Sequence, residues 1–169
     1  MSNIDPYYYI FNGIGYPNHY EKVELPAGFK VYLLCNGTEE RHVFVYTDRA
    51  EFDLSSKRDA EDVYRLFVNL SNRLVECDKA NDLFEYYDSS ELHEAARVKI
   101  EVSDVPVYRI RKASLRLYMV FLGSDIVLFR LATKRQDKIS KSEQKVLENR
   151  VKAIFLYPAG SKDFLRRVL

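Results

Sequence analysis

The sequence predicts an α+β domain in which helices pack on an antiparallel β-sheet meander, preceded by an N-terminal extension. The 169 residues are 47% hydrophobic and contain 6 Gly and 5 Pro, a composition typical of a folded domain rather than a disordered chain. A helical apolar stripe lies in the first half, and four β-branched and aromatic runs follow it between residues 97 and 133. Helices followed by closely spaced strands favour this fold class.

Two strand-like runs come first. Residues 28–34, "GFKVYLL", and residues 42–47, "HVFVYT", are rich in β-branched and aromatic side chains. Asn36 and Gly37 lie between them and form a dipeptide typical of a tight turn. The two runs are therefore predicted to form a β-hairpin. We place the domain boundary here, with residues 1–41 as the N-terminal extension and 42–169 as the main domain.

A long amphipathic helix is predicted within residues 55–78, starting at Ser55 or Ser56 as the N-cap. Its stripe consists of Val63, Leu66, Phe67, Leu70, Leu74 and Val75. Residues 80–97 are predicted to be helical with a break near Asp88.

Strands are predicted at 97–102, 107–113, 115–122 and 126–133, with a turn at residues 123–125 before the last. The sequence "SKSE" at 140–143 is a capping-box pattern that opens a helix reaching residue 157. The apolar stripe of that helix is Leu147, Val151, Ile154 and Phe155. Residues 161–169 are predicted as one last short helix.

The net charge of +1 conceals two unlike halves. Residues 1–97 contain 10 Lys and Arg against 18 Asp and Glu, whereas residues 98–169 contain 16 against 7. A cationic half attracts polyanions, of which nucleic acid is the commonest. The alternative is that the two halves neutralise each other in the fold.

Strand alternation sorts the basic residues. Arg109 and Arg111 share a face with Val107, and Arg116 shares a face with Tyr118. If the strands are neighbours, one face or edge of the meander collects six basic side chains. These are Arg109, Arg111, Arg116, Arg130, Lys134 and Arg135. Such a row favours a phosphate-binding surface.

Residues 107–151 carry a family resemblance. The stretch "VYRIRKASLRLYMVFLGSDIVLFRLATKRQDKISKSEQKVLENRV" resembles the C-terminal half of RelE/ParE-superfamily toxins, in the HigB-like, phage-derived branch. The matching features are a Y-R-I-R strand, an L-R-L-Y strand, a hydrophobic strand after a Gly-Asp-type turn, and a basic segment opening a helix. The resemblance covers roughly residues 42–157.

This resemblance implies the toxin of a type II toxin–antitoxin system, a metal-independent mRNA endoribonuclease that acts on the ribosome or without it. It implies Arg109, Arg111, Arg116, Arg135 and Tyr118 as catalytic residues. It also implies a cytoplasmic location, RNA and a cognate antitoxin as partners, and no cofactor. The alternatives are a non-catalytic nucleic-acid or protein-binding module on the same scaffold, and a ParE-like toxin directed at gyrase.

The chain departs from the family at two points. Many RelE-like members have Lys where this sequence has Arg109 and Arg111, and Arg is a poor general base. Some members have a Tyr near the C-terminal helix, whereas residues 138–145, "KISKSEQK", contain none. Tyr118 replaces it only if it faces the same surface.

The basic segment from Phe129 to Glu143 is a second candidate site. Lys134, Arg135 and Lys138 precede the predicted helix, and Arg130 lies in the strand before them. A helix N-terminus attracts phosphate, so these four residues are predicted to contact nucleic acid. The alternative is a solvated loop.

Other chemistries have little support in the sequence. His19, His42 and His93 are isolated, and no spacing of His, Cys, Asp or Glu suggests a metal site. Cys35 and Cys77 form no C-x-x-C motif, and reduced thiols are expected. We expect neither a secretory signal nor a membrane partner, because the N-terminus lacks a basic start and no apolar run is long enough to span a bilayer.

Overall fold

Six strands of the described chain form a single sheet that carries helices on both faces. The computed structural model describes residues 4–13, 25–52, 57–133 and 139–156. The strands are β1 (Pro6–Ile10), β2 (Val31–Asn36), β3 (Leu92–Ile100), β4 (Ser103–Lys112), β5 (Leu115–Leu122) and β6 (Asp125–Thr133). The α-helices are α1 (Phe44–Ala50), α2 (Lys57–Val75) and α3 (Lys141–Leu156), and 3-10 helices cover Glu40–His42 and Ala80–Glu85. The predicted α+β class is confirmed.

The strand order is β1-β2-β6-β5-β4-β3. The last four strands form the antiparallel meander that the sequence predicts, and β1 pairs with β2 in the antiparallel sense. β2 runs parallel to β6, from Val31 opposite Ile126 to Leu33 opposite Leu128. Residues before 41 therefore contribute two strands to the sheet that the later residues build.

The first face of the sheet packs against α2. The predicted stripe of α2 is buried at Val63, Leu66, Phe67, Leu70 and Leu74, which form one core with the side chains of Leu117 and Leu128 and others from the sheet. Val75, by contrast, is 38% exposed at the end of the helix. The predicted capping residues Ser55 and Ser56 lie outside the described residues.

The second face packs against α3. Leu147, Val151 and Ile154 are fully buried in a separate core with alternate residues of the same strands. The Ser140 hydroxyl accepts a hydrogen bond from the Glu143 backbone N–H at 3.1 Å, which caps the helix as predicted. The Glu143 carboxylate does not complete the box, because it pairs with Arg130 instead. The helix predicted at 161–169 lies outside the described residues.

The hairpin predicted between residues 28–34 and 42–47 is wrong. β2 lies between β1 and β6, and it pairs with β1 from Tyr32 to Asn36 and with β6 from Val31 to Leu33. Both of its edges are therefore partly occupied. Gly37, with φ of 120°, turns the chain away and donates its N–H to the Asp5 carbonyl. A single bridge from Cys35 to Val43 remains, and the following residues form α1.

The helix predicted over residues 80–97 is also wrong. Only Ala80–Glu85 is helical there, as a 3-10 helix. The Asp88 carbonyl accepts the N–H groups of Glu91 and Leu92, and this turn leads directly into β3. Leu92 then pairs with Ile110, so the strand begins five residues before the predicted start. Tertiary pairing with β4 decides the conformation of these residues.

A buried ion-pair network joins α1, β6 and α3. Asp48 is 3% exposed and receives hydrogen bonds from Arg130 at 2.7 Å and from both terminal nitrogens of Arg150 at 2.7 and 2.9 Å. Its second oxygen also accepts the Leu131 backbone N–H at 3.0 Å. Arg130 forms a two-pronged contact with Glu143 at 2.9 and 2.8 Å. The network balances two positive charges with two negative ones.

Replacing Asp48 by Ala should therefore destabilise the protein strongly. The change leaves Arg150 without its carboxylate and Arg130 with one partner, at a cost of about 3–5 kcal/mol for a broken buried pair. Urea unfolding of both proteins measures it through the midpoint. Asp104→Ala removes an exposed carboxylate opposite Lys99 on β3 and should change stability by no more than about 1 kcal/mol. Equal midpoints for the two variants would contradict the assigned role of Asp48.

Candidate nucleic-acid interface

Strand register brings four basic side chains together on the second face of the sheet. Arg111 on β4 lies opposite Arg116 on β5. Arg109 on β4 lies opposite His93 on β3. The alternation predicted for these strands holds, since Val107 packs in the core of the second face and Ile110 in that of the first. We call His93, Arg109, Arg111 and Arg116 the basic cluster.

Arg109 and His93 form a polar pair. The Nη2 atom of Arg109 lies 3.1 Å from Nε2 of His93. Because a guanidinium has no acceptor, Nε2 must accept this hydrogen bond, and the imidazole is then neutral with its proton on Nδ1. The Nε of Arg109 is buried and has no hydrogen-bond partner among the described residues. Arg109 therefore keeps an unused donor.

The neutral state of His93 has a clear electrostatic cause. Partial burial lowers the pKa of His93 below 6.5, and the charges of Arg109, Arg111 and Arg116 lower it further. A backbone contact at Ser89 opposes these effects without cancelling them. Burial first, and the three neighbouring cations second, therefore favour the neutral imidazole of His93.

Arg116 anchors the turn between β4 and β5. Its Nη1 donates to the Ala113 carbonyl at 2.8 Å and to the Leu115 carbonyl at 2.7 Å. Ala113 has φ of 52°, a left-handed conformation that side chains other than glycine seldom adopt. Burial lowers the pKa of Arg116, and Arg111 and Arg109 lower it further, although the guanidinium stays charged. Arg116 is 4% exposed, so only part of it faces the surface.

The arginines of the basic cluster lack acidic partners in the part of the chain that the structure describes. Within the described residues, no carboxylate forms an ion pair with Arg109, Arg111 or Arg116, although other arginines on the surface pair with glutamates. Arg111 is exposed, directly beside the buried Arg116. Like charges held together without counterions form a site that attracts anions.

The structure places Tyr118 and Arg130 away from the exposed surface on which the sequence predicts a catalytic tyrosine and a nucleic-acid contact. Tyr118 shares the face of Arg116, but it is 2% exposed and packs in the core beneath α3. Arg130 uses three of its nitrogens in the ion-pair network with Asp48 and Glu143. Burial alone would lower the pKa of Arg130, but the hydrogen bonds and charges of Glu143 and Asp48 outweigh it and raise the pKa.

The remaining predicted contacts, Lys134, Arg135 and Lys138, lie outside the described residues. His93 is absent from the residues that the sequence predicts for the site, because the pattern of residues 80–97 indicates a helix. The register of β3 also shifts between Glu94 and Ala96, where a bulge interrupts the alternation of "LHEAARVKI". The contact between His93 and Arg109 could therefore not be predicted from the alternation of the sequence alone.

The cluster suits a phosphodiester group. Guanidinium groups donate directed hydrogen bonds to phosphate oxygens, and three of them stabilise extra negative charge on phosphorus oxygens. Among the described residues, no group of three or more His, Cys, Asp or Glu side chains is placed to hold a metal ion. Within the same residues, no helix is both long and apolar enough to cross a membrane.

Comparison with known proteins gives no relative. No family model, no curated protein and no solved structure matches the chain.

Arg111→Gln should stabilise the protein. The change removes a cation directly opposite Arg116, and like charges in that arrangement cost roughly 0.2–1 kcal/mol. Urea unfolding at low ionic strength measures the gain, which added salt should reduce. Arg97→Gln is the matched control, because Arg97 forms an ion pair with Glu94 at 2.7 Å and its removal should bring no gain. A destabilised Arg111→Gln protein would contradict the repulsion.

His93→Gln should make the protein less sensitive to acid. The pKa of His93 is lower in the folded protein than in the unfolded chain, so the unfolded chain binds more protons between those two values. The free energy of unfolding of the wild type therefore falls as the pH drops below 6.5. Glutamine keeps an acceptor for Arg109 but does not titrate. The loss of stability between about pH 7.5 and about pH 5.5 should be smaller in the variant, and an equal loss would contradict the shift.

Proposed function

We propose that the chain binds RNA through the basic cluster and acts as the RNA-cleaving toxin of a toxin–antitoxin pair. The observation that carries the proposal is the set of three neighbouring arginines, with no carboxylate partner in the described part of the chain. An exposed arginine placed opposite a buried one costs stability, so a polyanionic ligand is a physical reason for the arrangement.

The resemblance of residues 107–151 to RelE/ParE toxins supports the choice of RNA over other polyanions. In RNA cleavage the 2′-hydroxyl loses its proton and its oxygen attacks phosphorus, while the bond from phosphorus to the 5′-oxygen breaks and that oxygen gains a proton. Negative charge accumulates on the non-bridging oxygens during this step. On this proposal Arg109 and Arg111 hold the phosphate, and Arg116 fixes the turn beside it while adding to the field. Lys134, Arg135 and Lys138 would extend the contact along the backbone.

A cognate antitoxin would act on the same surface. Carboxylates of an acidic segment would replace the RNA phosphates on Arg109 and Arg111, which would neutralise the cluster and block access. Toxin and antitoxin would then meet in the cytoplasm, where ribosomes and messenger RNA are present.

A second candidate is a non-catalytic RNA-binding module on the same scaffold. The observation that favours it is the lack of a free proton-transfer group beside the arginines in the described residues. Tyr118 is buried beneath α3, and Nε2 of His93 already accepts a hydrogen bond from Arg109. Binding alone needs only the charges.

Arg111→Ala should weaken binding to single-stranded RNA roughly tenfold, the equivalent of about 1.4 kcal/mol. Because a phosphate contact releases counterions, removing one such contact on a single strand should reduce the slope of log affinity against log salt by about 0.7. Fluorescence anisotropy over a salt series measures both the affinity and the slope. Arg97→Ala, which removes a cation outside the cluster, should match the wild type.

Cleavage is tested separately, by mapping transcript ends after induced expression without an antitoxin. New ends and growth arrest that disappear in Arg111→Ala support the toxin. RNA binding without new ends favours the non-catalytic module. If neither RNA binding nor growth arrest depends on Arg111, the proposed function is wrong.

A further inference from the structure

We propose that His93 is a proton-dependent fourth phosphate ligand, so that the protein takes up a proton when a phosphate group binds the basic cluster. This inference rests on the proposed function in its choice of RNA, but not in its choice of phosphate. It assigns a binding role to a residue that is not among the three arginines.

The geometry places His93 in the site. It lies on the same face as Arg109 and directly across from it, with Nε2 and Nη2 3.1 Å apart. In the free protein the neutral imidazole accepts a hydrogen bond from Arg109, which has no carboxylate partner among the described residues. Its lone pair therefore occupies a position that a phosphate oxygen can take over, since both are acceptors for the same guanidinium.

Partial burial and the charged groups around His93 together favour its neutral form when no anion is bound. Arg109 and Arg111 face it from β4, and Arg116 from β5. Among its neighbours in sequence, Glu91 lies 3.9 Å from Arg73 and Glu94 lies 2.7 Å from Arg97. No carboxylate is among the groups that act on the titration of His93 in the described chain. Three positive charges therefore meet a group that is itself a cation when protonated.

A bound phosphate reverses this balance. A phosphodiester brings one negative charge into the cluster and accepts hydrogen bonds from the arginines. When Nη2 of Arg109 turns from His93 to the phosphate, Nε2 of His93 loses its donor and can bind a proton from solvent. The imidazolium then donates Nε2–H to a phosphate oxygen. The net change is one anion and up to one proton bound, with no covalent bond made or broken.

Proton uptake by His93 determines the direction in which anion affinity changes with pH. The pKa of His93 is lowered in the free protein and rises in the complex, so proton uptake accompanies binding between the two values. Affinity for the anion therefore increases as the pH falls through this window, by up to about tenfold per pH unit. Below the window both states are protonated, and above it neither is.

The test is a histidine NMR titration of the full chain. The Cε1–H resonances are followed against pH without ligand, with inorganic pyrophosphate, and with a 2′-O-methylated RNA oligonucleotide that cannot be cleaved. The His93 resonance is assigned by its disappearance in His93→Gln. Its pKa should rise when either anion is present. His42, in the 3-10 helix at Glu40–His42, is the internal reference whose titration should not move.

Affinities of the same two probes give a second measurement. Wild type and Arg97→Gln should bind more tightly as the pH falls, whereas His93→Gln should show a smaller dependence. If the glutamine variant does not fold, His19→Gln and His42→Gln assign the other two histidine resonances, and the third then belongs to His93.

The outcomes separate the two proposals. If RNA binds through Arg111 but the His93 titration does not move, the proton-dependent role is wrong and the proposed function stands. If pyrophosphate binds with proton uptake but RNA does not bind, the role of His93 stands and the RNA function is wrong. If neither anion binds, both are wrong.

Discussion

The carboxylate of Asp48 is the contact on which the arrangement of α1, β6 and α3 depends. β2 pairs with β6 only as far as Leu128, and beyond that point no strand of the described residues pairs with this edge of β6. Asp48 supplies the missing acceptor to the Leu131 N–H and at the same time binds Arg130 and Arg150. The Asp48 side chain thus accepts a backbone hydrogen bond that a neighbouring strand would otherwise accept. Through its ion pair with Arg150 it also holds α3 against the sheet.

The arginines on the second face of the sheet differ in their electrostatic surroundings. Arg130 is enclosed by Asp48 and Glu143, and its charge is used inside the fold. Two strands away, Arg109 and Arg111 face His93 and Arg116 instead of acids. Within the described residues the first set is paired with carboxylates and the second set is not, and the proposed function rests on this difference.

Sequence periodicity predicts those helices and strands whose conformation does not depend on which other element they pack against. The stripe of α2 and the strands from 107 to 133 follow from spacing alone, since any apolar surface satisfies them. The predictions for residues 42–47 and 92–96 are wrong because the conformation of these residues depends on which edges of β2 and β4 are already occupied. The arginines of the basic cluster could be predicted from alternation, whereas His93 could not, since its position depends on a bulge in β3. The burial of Arg130 in an ion pair could not be predicted either, because its partner Asp48 lies 82 positions away in the sequence.

The sequence separation inside the Asp48 network also bears on how the chain reaches its native state. Asp48 meets partners that are 82, 83 and 102 residues further along, so large loops must close before these contacts stabilise anything. The meander from β3 to β6 involves only short connections and can form first. Folding should then end with α1 and α3 locking onto an existing sheet, and the last region to order would be the one that neutralises buried charge.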